Sequence, residues 1–375
     1  MRIAAITTSK VPSTTANSIQ AVKACHGLAQ LGHEVCLYVP GDRTAPWPKL
    51  AEHYGLTAPF SVTWLPSRKV FRRYDLALTA VNEAREWDAW MVYTWTLQAA
   101  LLAQMKGFPV LLELHDRPTG RFGPWLFRRW LSTPGQKRLL VITNALQAAL
   151  EREYGALLQG LHVQVAPNAV DLERYANLPD PAEARRQLGL AEGTTAVYSG
   201  HFYAGRGMDL LVGLAQAFPE MNFLWVGGRE EDTAHWKARL AEMGIRNVTL
   251  TGFIAQVQLP LYQAAGDFLL MPYEKQIAGS SGGNSADICS PMKMFDYLAT
   301  GRVILSSDLP VLHEVLNDRN AVFCQAEDLP SWEKALRGLL KDASRRHALG
   351  DQARSYARLH SWRNRAEQAV AGFFD

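Results

Sequence analysis

Two successive series of short runs rich in Val, Ile and Leu, each run parted from the next by a helix-length stretch, leave this 375-residue chain few architectures. A strand that is apolar along its whole length must be covered on both faces, which happens when crossover helices flank a parallel sheet. The first series occupies 2–8, 35–39, 89–93, 110–115, 139–142 and 163–166, and the second 196–199, 223–226, 248–251, 268–271 and 303–306. Length agrees with two cores, since one hydrophobic core stops growing at roughly 250–300 residues. The expected class is α/β with two Rossmann-like, doubly wound parallel-sheet domains, 1–170 and 171–360. The polar turn Pro167-Asn168-Ala169-Val170-Asp171 lies between them. The last segment, 361–375, reads as a helix, and packing back across the first domain is open because nothing in its own spacing requires it.

Local signals place helices beside particular strands. Residues 18–30 repeat apolar side chains at helical spacing and stop at Leu31-Gly32-His33, so a helix should cover the first sheet. Ser290 reads as an N-cap with Pro291 at the first helical position, and Gly301 ends that helix. A third helix, 209–218, follows a glycine-rich turn.

That turn is the first place where chemistry gathers. Tyr198-Ser199-Gly200-His201 leaves a strand, and Ala204-Gly205-Arg206-Gly207-Met208-Asp209 opens the helix. Glycines admit backbone amides to an anion, a helix N-terminus favours negative charge, and a guanidinium binds phosphate oxygens in pairs. An ordinary βα turn with an exposed arginine is the alternative. The second place is the polar loop 280–287 before the Ser290-Pro291 helix, where Lys293 and Asp296 stand three apart on one helix face. They suit a phosphate and a ribose diol respectively; a surface ion pair is the plainer option. Pro291, Phe295 and Leu298 should face the core.

Other classes fall away. The first strand runs into Thr7-Thr8-Ser9-Lys10 with no dinucleotide-binding glycine fingerprint, and no Walker loop occurs. Net charge is only +3 with a pI near 8.6, so nucleic acid is not an expected partner. Cys25, Cys36, Cys289 and Cys324 form no cluster with histidines, and no Asp-x-Asp pair is present, so no metal is expected. No run approaches membrane-span length, and Met1-Arg2-Ile3 leads straight into a strand-like run, which reads as a cytoplasmic chain. Residues 117–138 interleave Arg117, Arg121, Arg128, Arg129, Lys137 and Arg138 with Trp125, Phe127 and Trp130 and carry no acid. Either they touch an anionic membrane at the inner face, or their apolar stripe is simply core.

Seven ordered stretches then carry a resemblance over essentially the whole chain: Ala16-Asn17-Ser18-Ile19-Gln20 with Leu31-Gly32-His33-Glu34-Val35, Leu114-His115-Asp116, Pro167 to Asp171, Gly200 to Gly207, Leu250-Thr251-Gly252-Phe253, Ser290 to Gly301, and Ser306-Ser307-Asp308-Leu309-Pro310. The sequence resembles the family 4 glycosyltransferases, in a subgroup with a Ser-Pro-x-Lys helix. These are retaining GT-B enzymes whose two Rossmann-like domains face across a cleft. The resemblance implies a metal-independent hexosyltransferase, with a nucleotide-diphosphate sugar as donor and no bound cofactor. The acceptor would be a glycan, a lipid-linked molecule or a small molecule, as in polysaccharide biosynthesis. The first domain would lie on the acceptor side and the second would bind the donor. It implies that Arg206 and Lys293 hold the donor diphosphate with Gly200, His201, Gly205, Gly207, Ser290 and Pro291 around it. Asp296 would bind the ribose, His115 would lie by the reacting sugar, and Asn17 and Asp116 would belong to the acceptor loops. Two departures stand out: His201 where the family often has arginine, and Ile288 where it often has an acid, with Asp287 as a substitute. The remaining alternative is an inactive carbohydrate- or nucleotide-binding protein on the same fold.

Overall fold

The computed structural model describes residues 1–42, 44–71, 73–277, 284 and 286–373, the side chain of Lys69 excepted. The chain divides into two compact units: Met1–Asn168 together with the C-terminal segment from Trp362, and Ala169–Ser361. The division falls between Asn168 and Ala169, and the segment from Trp362 is grouped with the first unit.

The first unit is built on seven strands, β1 (Arg2–Ile6), β2 (Glu34–Pro40), β3 (Ser61–Leu65), β4 (Met91–Thr94), β5 (Val110–Leu114), β6 (Lys137–Val141) and β7 (His162–Val165). They lie in the order β3-β2-β1-β4-β5-β6-β7, every neighbouring pair parallel. On β1, Ala4 sits between Cys36 and Val92 and is fully buried, as double coverage by helices demands. The Ala16–Gln30 helix is buried from Ser18 through Leu28, all the way round, because the sheet covers one side and the C-terminal Trp362–Val370 helix packs on another.

The second unit holds β8 (Thr195–Gly200), β9 (Asn222–Gly227), β10 (Val248–Leu250), β11 (Phe268–Met271), β12 (Val303–Ser307) and β13 (Val322–Cys324), in the order β10-β9-β8-β11-β12-β13 and again parallel throughout. Its core gathers Trp225, Trp236, Trp332, Phe223 and Phe268. In each sheet the strand order reverses at one point, between β1 and β4 and between β8 and β11. Ligands of doubly wound sheets lie beyond the carboxyl ends of strands at such points.

Two strands escaped the sequence reading, β3 and β13. Both are short edge strands, and Ser61-Val62-Thr63-Trp64-Leu65 is mostly half-exposed, so neither needed a continuous apolar run. The basic segment also reads differently in three dimensions. Only Gly123–Ser132 is helical, and Leu126, Phe127 and Trp130 are core. Lys137 caps that helix by donating to the carbonyls of Trp130, Leu131 and Thr133, and Arg138 donates to Ala369 O at 2.8 Å, so these two charges serve the fold. Phe122, Trp125, Arg121, Arg128 and Arg129 are exposed. Among the described residues no helix is long and apolar enough to cross a membrane.

Candidate functional site

At the reversal point of the second sheet, β8 ends in Gly200 and β11 passes through Pro272 into Tyr273. Gly200 has a φ of +143°, and a Cβ there would lie 2.7 Å from Lys293 Nζ. A side chain at this position would expel the lysine head. Lys293 comes from the Met292–Thr300 helix that follows β11, which begins one residue later than expected, with Pro291 itself as the extended N-cap and the buried Ser290 before it. Phe295 and Leu298 are core, as their spacing required, whereas Pro291 is half-buried.

The Lys293 ammonium is buried and has no hydrogen-bond partner. It stands 3.8 Å from the centre of the Tyr198 ring and 5.4 Å from that of Tyr273. Burial, and then the Arg206 guanidinium, hold it well below the usual lysine range. The ring faces offset part of that cost by cation–π attraction. The alternative, a surface ion pair with Asp296, is not made. Asp296 lies instead against the Tyr175 hydroxyl, whose one proton is donated to Gln263 Oε1 at 2.8 Å. Burial and then the Asp296 charge drive that phenol well up.

Arg206 lies between the rings of Tyr203 and Tyr273, 4.8 and 4.9 Å from their centres, and donates to Tyr203 Oη at 2.7 Å. Its Nε is buried without a partner. Two cations thus share an aromatic cage, and among the described residues no carboxylate pairs with either. His201 stacks on Tyr203 at 5.5 Å, and its carbonyl accepts from the Tyr198 hydroxyl at 2.6 Å. Gly207, the N-cap of the Met208–Ala217 helix, has a φ of +70°, and its N–H donates to Glu274 Oε1 at 3.1 Å. One helix-terminal amide that the sequence reading offered to a phosphate is therefore occupied by a carboxylate. Gly205 N-terminal to it is buried, and its carbonyl accepts from Glu274 N at 3.2 Å. Ile288 is fully buried and Asp287 exposed, while residues 280–283 and 285 of the polar loop lie outside the described residues.

In the first unit, His115 follows β5, one strand from the other reversal point. Its Nε2 donates to Glu113 Oε1 at 2.7 Å, and a quarter of its side chain is exposed. Asp116 Oδ1 accepts from Arg117 N at 2.7 Å, and Asn17 is exposed in the first turn of the Ala16–Gln30 helix. Sequence reading missed the three cage tyrosines, which look like ordinary strand and loop aromatics. It also missed Glu113, for which an acid inside Val-Leu-Leu-Glu-Leu was a usable signal. Among the described residues no three His, Cys, Asp or Glu side chains gather as a metal-binding group.

Comparison with known proteins matches residues 19–174 to the model of Glycosyltransferase Family 4 and residues 193–342 to that of Glycosyl transferases group 1. A curated relative, the alpha-galactosylglucosyldiacylglycerol synthase of Streptococcus pneumoniae, is 25% identical over 154 residues, which are 39% of this chain and 41% of that one. The chain therefore spans about two fifths of the length of the curated relative it matches. Among solved structures, sucrose-phosphate synthase from Thermosynechococcus elongatus superposes with a TM-score of 0.73 at 18% identity, covering 98% of this chain and 96% of that one. HepE of Anabaena, crystallised with UDP-glucose, superposes with a TM-score of 0.71 at 15% identity, covering 99% and 98%. At these identities the likeness is one of fold.

Proposed function

Because the chain belongs to the glycosyltransferases of Family 4 and group 1, with a GT-B fold of two parallel-sheet units, we propose that it moves a hexose from a uridine diphosphate donor, with retention of configuration and without a bound metal. The single observation that carries this reading is the buried Lys293 ammonium beside the Arg206 guanidinium, whose Nε is buried too, neither atom hydrogen-bonded and, among the described residues, neither side chain matched by a carboxylate. A buried ammonium without a partner is costly, and an entering diphosphate would supply the missing charge and acceptors. As the bond to the sugar breaks, negative charge grows on that diphosphate and two fixed cations meet it without reorganisation. Asp296, held beside Tyr175, would accept from the ribose diol. His115, Asp116 and Asn17 belong in this reading to the sugar and acceptor side, and the second unit to the donor. The UDP-glucose held by HepE supports a uridine donor. The acceptor is a glycan, a lipid-linked molecule or a small molecule. The exposed Trp125 with Arg121, Arg128 and Arg129 supports peripheral contact with an anionic membrane.

The test is transfer or slow hydrolysis of UDP-glucose, followed by NMR with and without EDTA. Turnover is expected to persist in the chelator. Loss to background, restored by manganese or magnesium, would refute the metal-free assignment, and no turnover of any nucleotide sugar would refute the enzyme reading.

The depressed lysine gives a second expectation with a definite sign. A bound diphosphate favours the ammonium, so Lys293 titrates higher in the complex than in the free protein. Donor affinity should then fall as pH rises through the free-state value, and binding should take up as much as one proton per UDP. Calorimetry in two buffers of different ionisation enthalpy reads this directly; zero uptake across neutral and alkaline pH would mean that Lys293 is charged before the donor arrives.

A further inference from the structure

Glu113 is a fully buried acid in the middle of an apolar strand, and the reading above gives it no work. Its Oε1 accepts from Gln20 Nε2 at 2.6 Å, from His115 Nε2 at 2.7 Å and from Arg365 Nη2 at 2.6 Å, and its Oε2 accepts from the Tyr93 hydroxyl. The four donors come from four parts of the first unit: the Ala16–Gln30 helix, β4, the residue beyond the end of β5, and the C-terminal helix. Arg365 is itself fixed. Its side chain is 6% exposed, and it also donates from Nε to Pro167 O at 2.7 Å and from Nη2 to Ala166 O at 3.0 Å.

A carboxylate carries one negative charge, and Arg365 supplies one positive charge at contact distance. His115 is therefore not required as the counter-ion. Its hydrogen bond then fixes the tautomer: Nε2 carries the proton, and the lone pair is left on Nδ1. We propose that Glu113 and Arg365 are positioning residues that fix the His115 ring with its Nε2–H on the carboxylate and Nδ1 presented as an acceptor for a sugar hydroxyl. The inference rests on the reading that sets His115 beside the reacting sugar. Burial raises the Glu113 carboxyl, but the Arg365 charge, the bond from His115 with the charge of that ring when it is protonated, and the bond from Tyr93 outweigh it and bring it down to about 2, so Glu113 is ionised across the working range. Glu113 on β5 bonds the imidazole directly, Arg365, Tyr93 and Gln20 bond that carboxylate from behind, and Asp116 is the next residue along the chain.

The test is 15N NMR of the histidine side chains in the full chain, with His115→Asn identifying the signals. In the parent, His115 should show the Nε2–H pattern. Arg365→Gln leaves the carboxylate without its cation, so His115 should titrate at least one unit higher. Glu113→Gln removes the carboxylate and leaves the guanidinium, so His115 should titrate at least one unit lower and lose its fixed tautomer; an opposite charge at this range is worth about one to three units. Arg365→Lys, which keeps the charge, should restore most of the parent titration; if Arg365→Gln does not fold, the downward shift in Glu113→Gln set against an unshifted Arg365→Lys carries the test. A loss of structure alone would not shift one histidine in opposite directions. Glu113→Gln should also lower kcat about tenfold, on the scale of a mispositioned proton acceptor, with donor KM unchanged. Identical His115 titration in all variants overturns the proposal. Parent-level transfer by His115→Asn, with the opposite shifts present, instead counts against the placement of His115 at the sugar and leaves the tautomer control standing.

Discussion

Lys293→Met is expected to raise the melting temperature while lowering kcat/KM by at least about a hundredfold, the scale for removing one preorganised charge partner of a transition state. The two effects share one cause. In the free protein the ammonium is buried, unpartnered and beside a guanidinium, and an unmatched buried donor costs about 1–3 kcal/mol. Methionine removes the charge, keeps the length of the chain, and places a sulfur on the Tyr198 ring in place of the cation. Loss of the cation–π attraction subtracts about 0.5–2 kcal/mol from the gain. A net gain near 1 kcal/mol corresponds to a rise of about 2–4 °C for units of this size. The pH sign is fixed by linkage. The lysine titrates lower folded than unfolded, so its cost is fully present below the folded value and disappears as pH rises toward the unfolded value of about 10.4. The variant's advantage should therefore be largest near neutral pH and shrink in alkali. A variant with lower stability and parent kinetics would remove Lys293 from the donor site.

The second large effect concerns the C-terminal helix. A Cβ on Gly27 would lie 2.4 Å from the Trp362 carbonyl oxygen and 3.1 Å from Ala366 Cβ. The two helices approach closely enough that only glycine fits between backbone and backbone. Gly27→Leu should prevent the Trp362–Val370 helix from docking, which uncovers Trp362, Ala366 and Ala369 and withdraws Arg365 from Glu113. Breaking a buried pair by removing one partner costs about 3–5 kcal/mol, so the first unit should melt roughly 10 °C lower. Limited trypsin digestion should release the C-terminal peptide after Arg358 or Arg363. Gly27→Ala should show the same defect in smaller measure, because its Cβ already meets the Trp362 carbonyl oxygen but carries no further atoms into the contact. Parent melting and parent proteolysis in Gly27→Leu would mean that this contact does not hold the helix.

Most of the architecture was legible before any coordinates. The nine interior strands announced themselves because parallel strands buried on both faces must be apolar from end to end, the edge strands β7 and β10 still carried short apolar runs, and the Gly301 stop followed from local backbone chemistry. Edge strands β3 and β13 carried no such requirement and were missed. At the site, Arg206 and Lys293 were readable as residue types at fixed places in a strand–turn–helix grammar. What that grammar left undecided was their partners. Lys293 had an acid three residues along its own helix, yet its head turns to Tyr198 and Tyr273, which lie on different segments 75 residues apart. Glu113 meets Arg365 across 252 residues. Sequence by itself determines periodicity, turns and caps, because these depend on neighbours within a few residues. Which cation stays unmatched and which acid finds its counter-charge is decided only when the fold brings distant segments together and removes the water that would otherwise have satisfied them all.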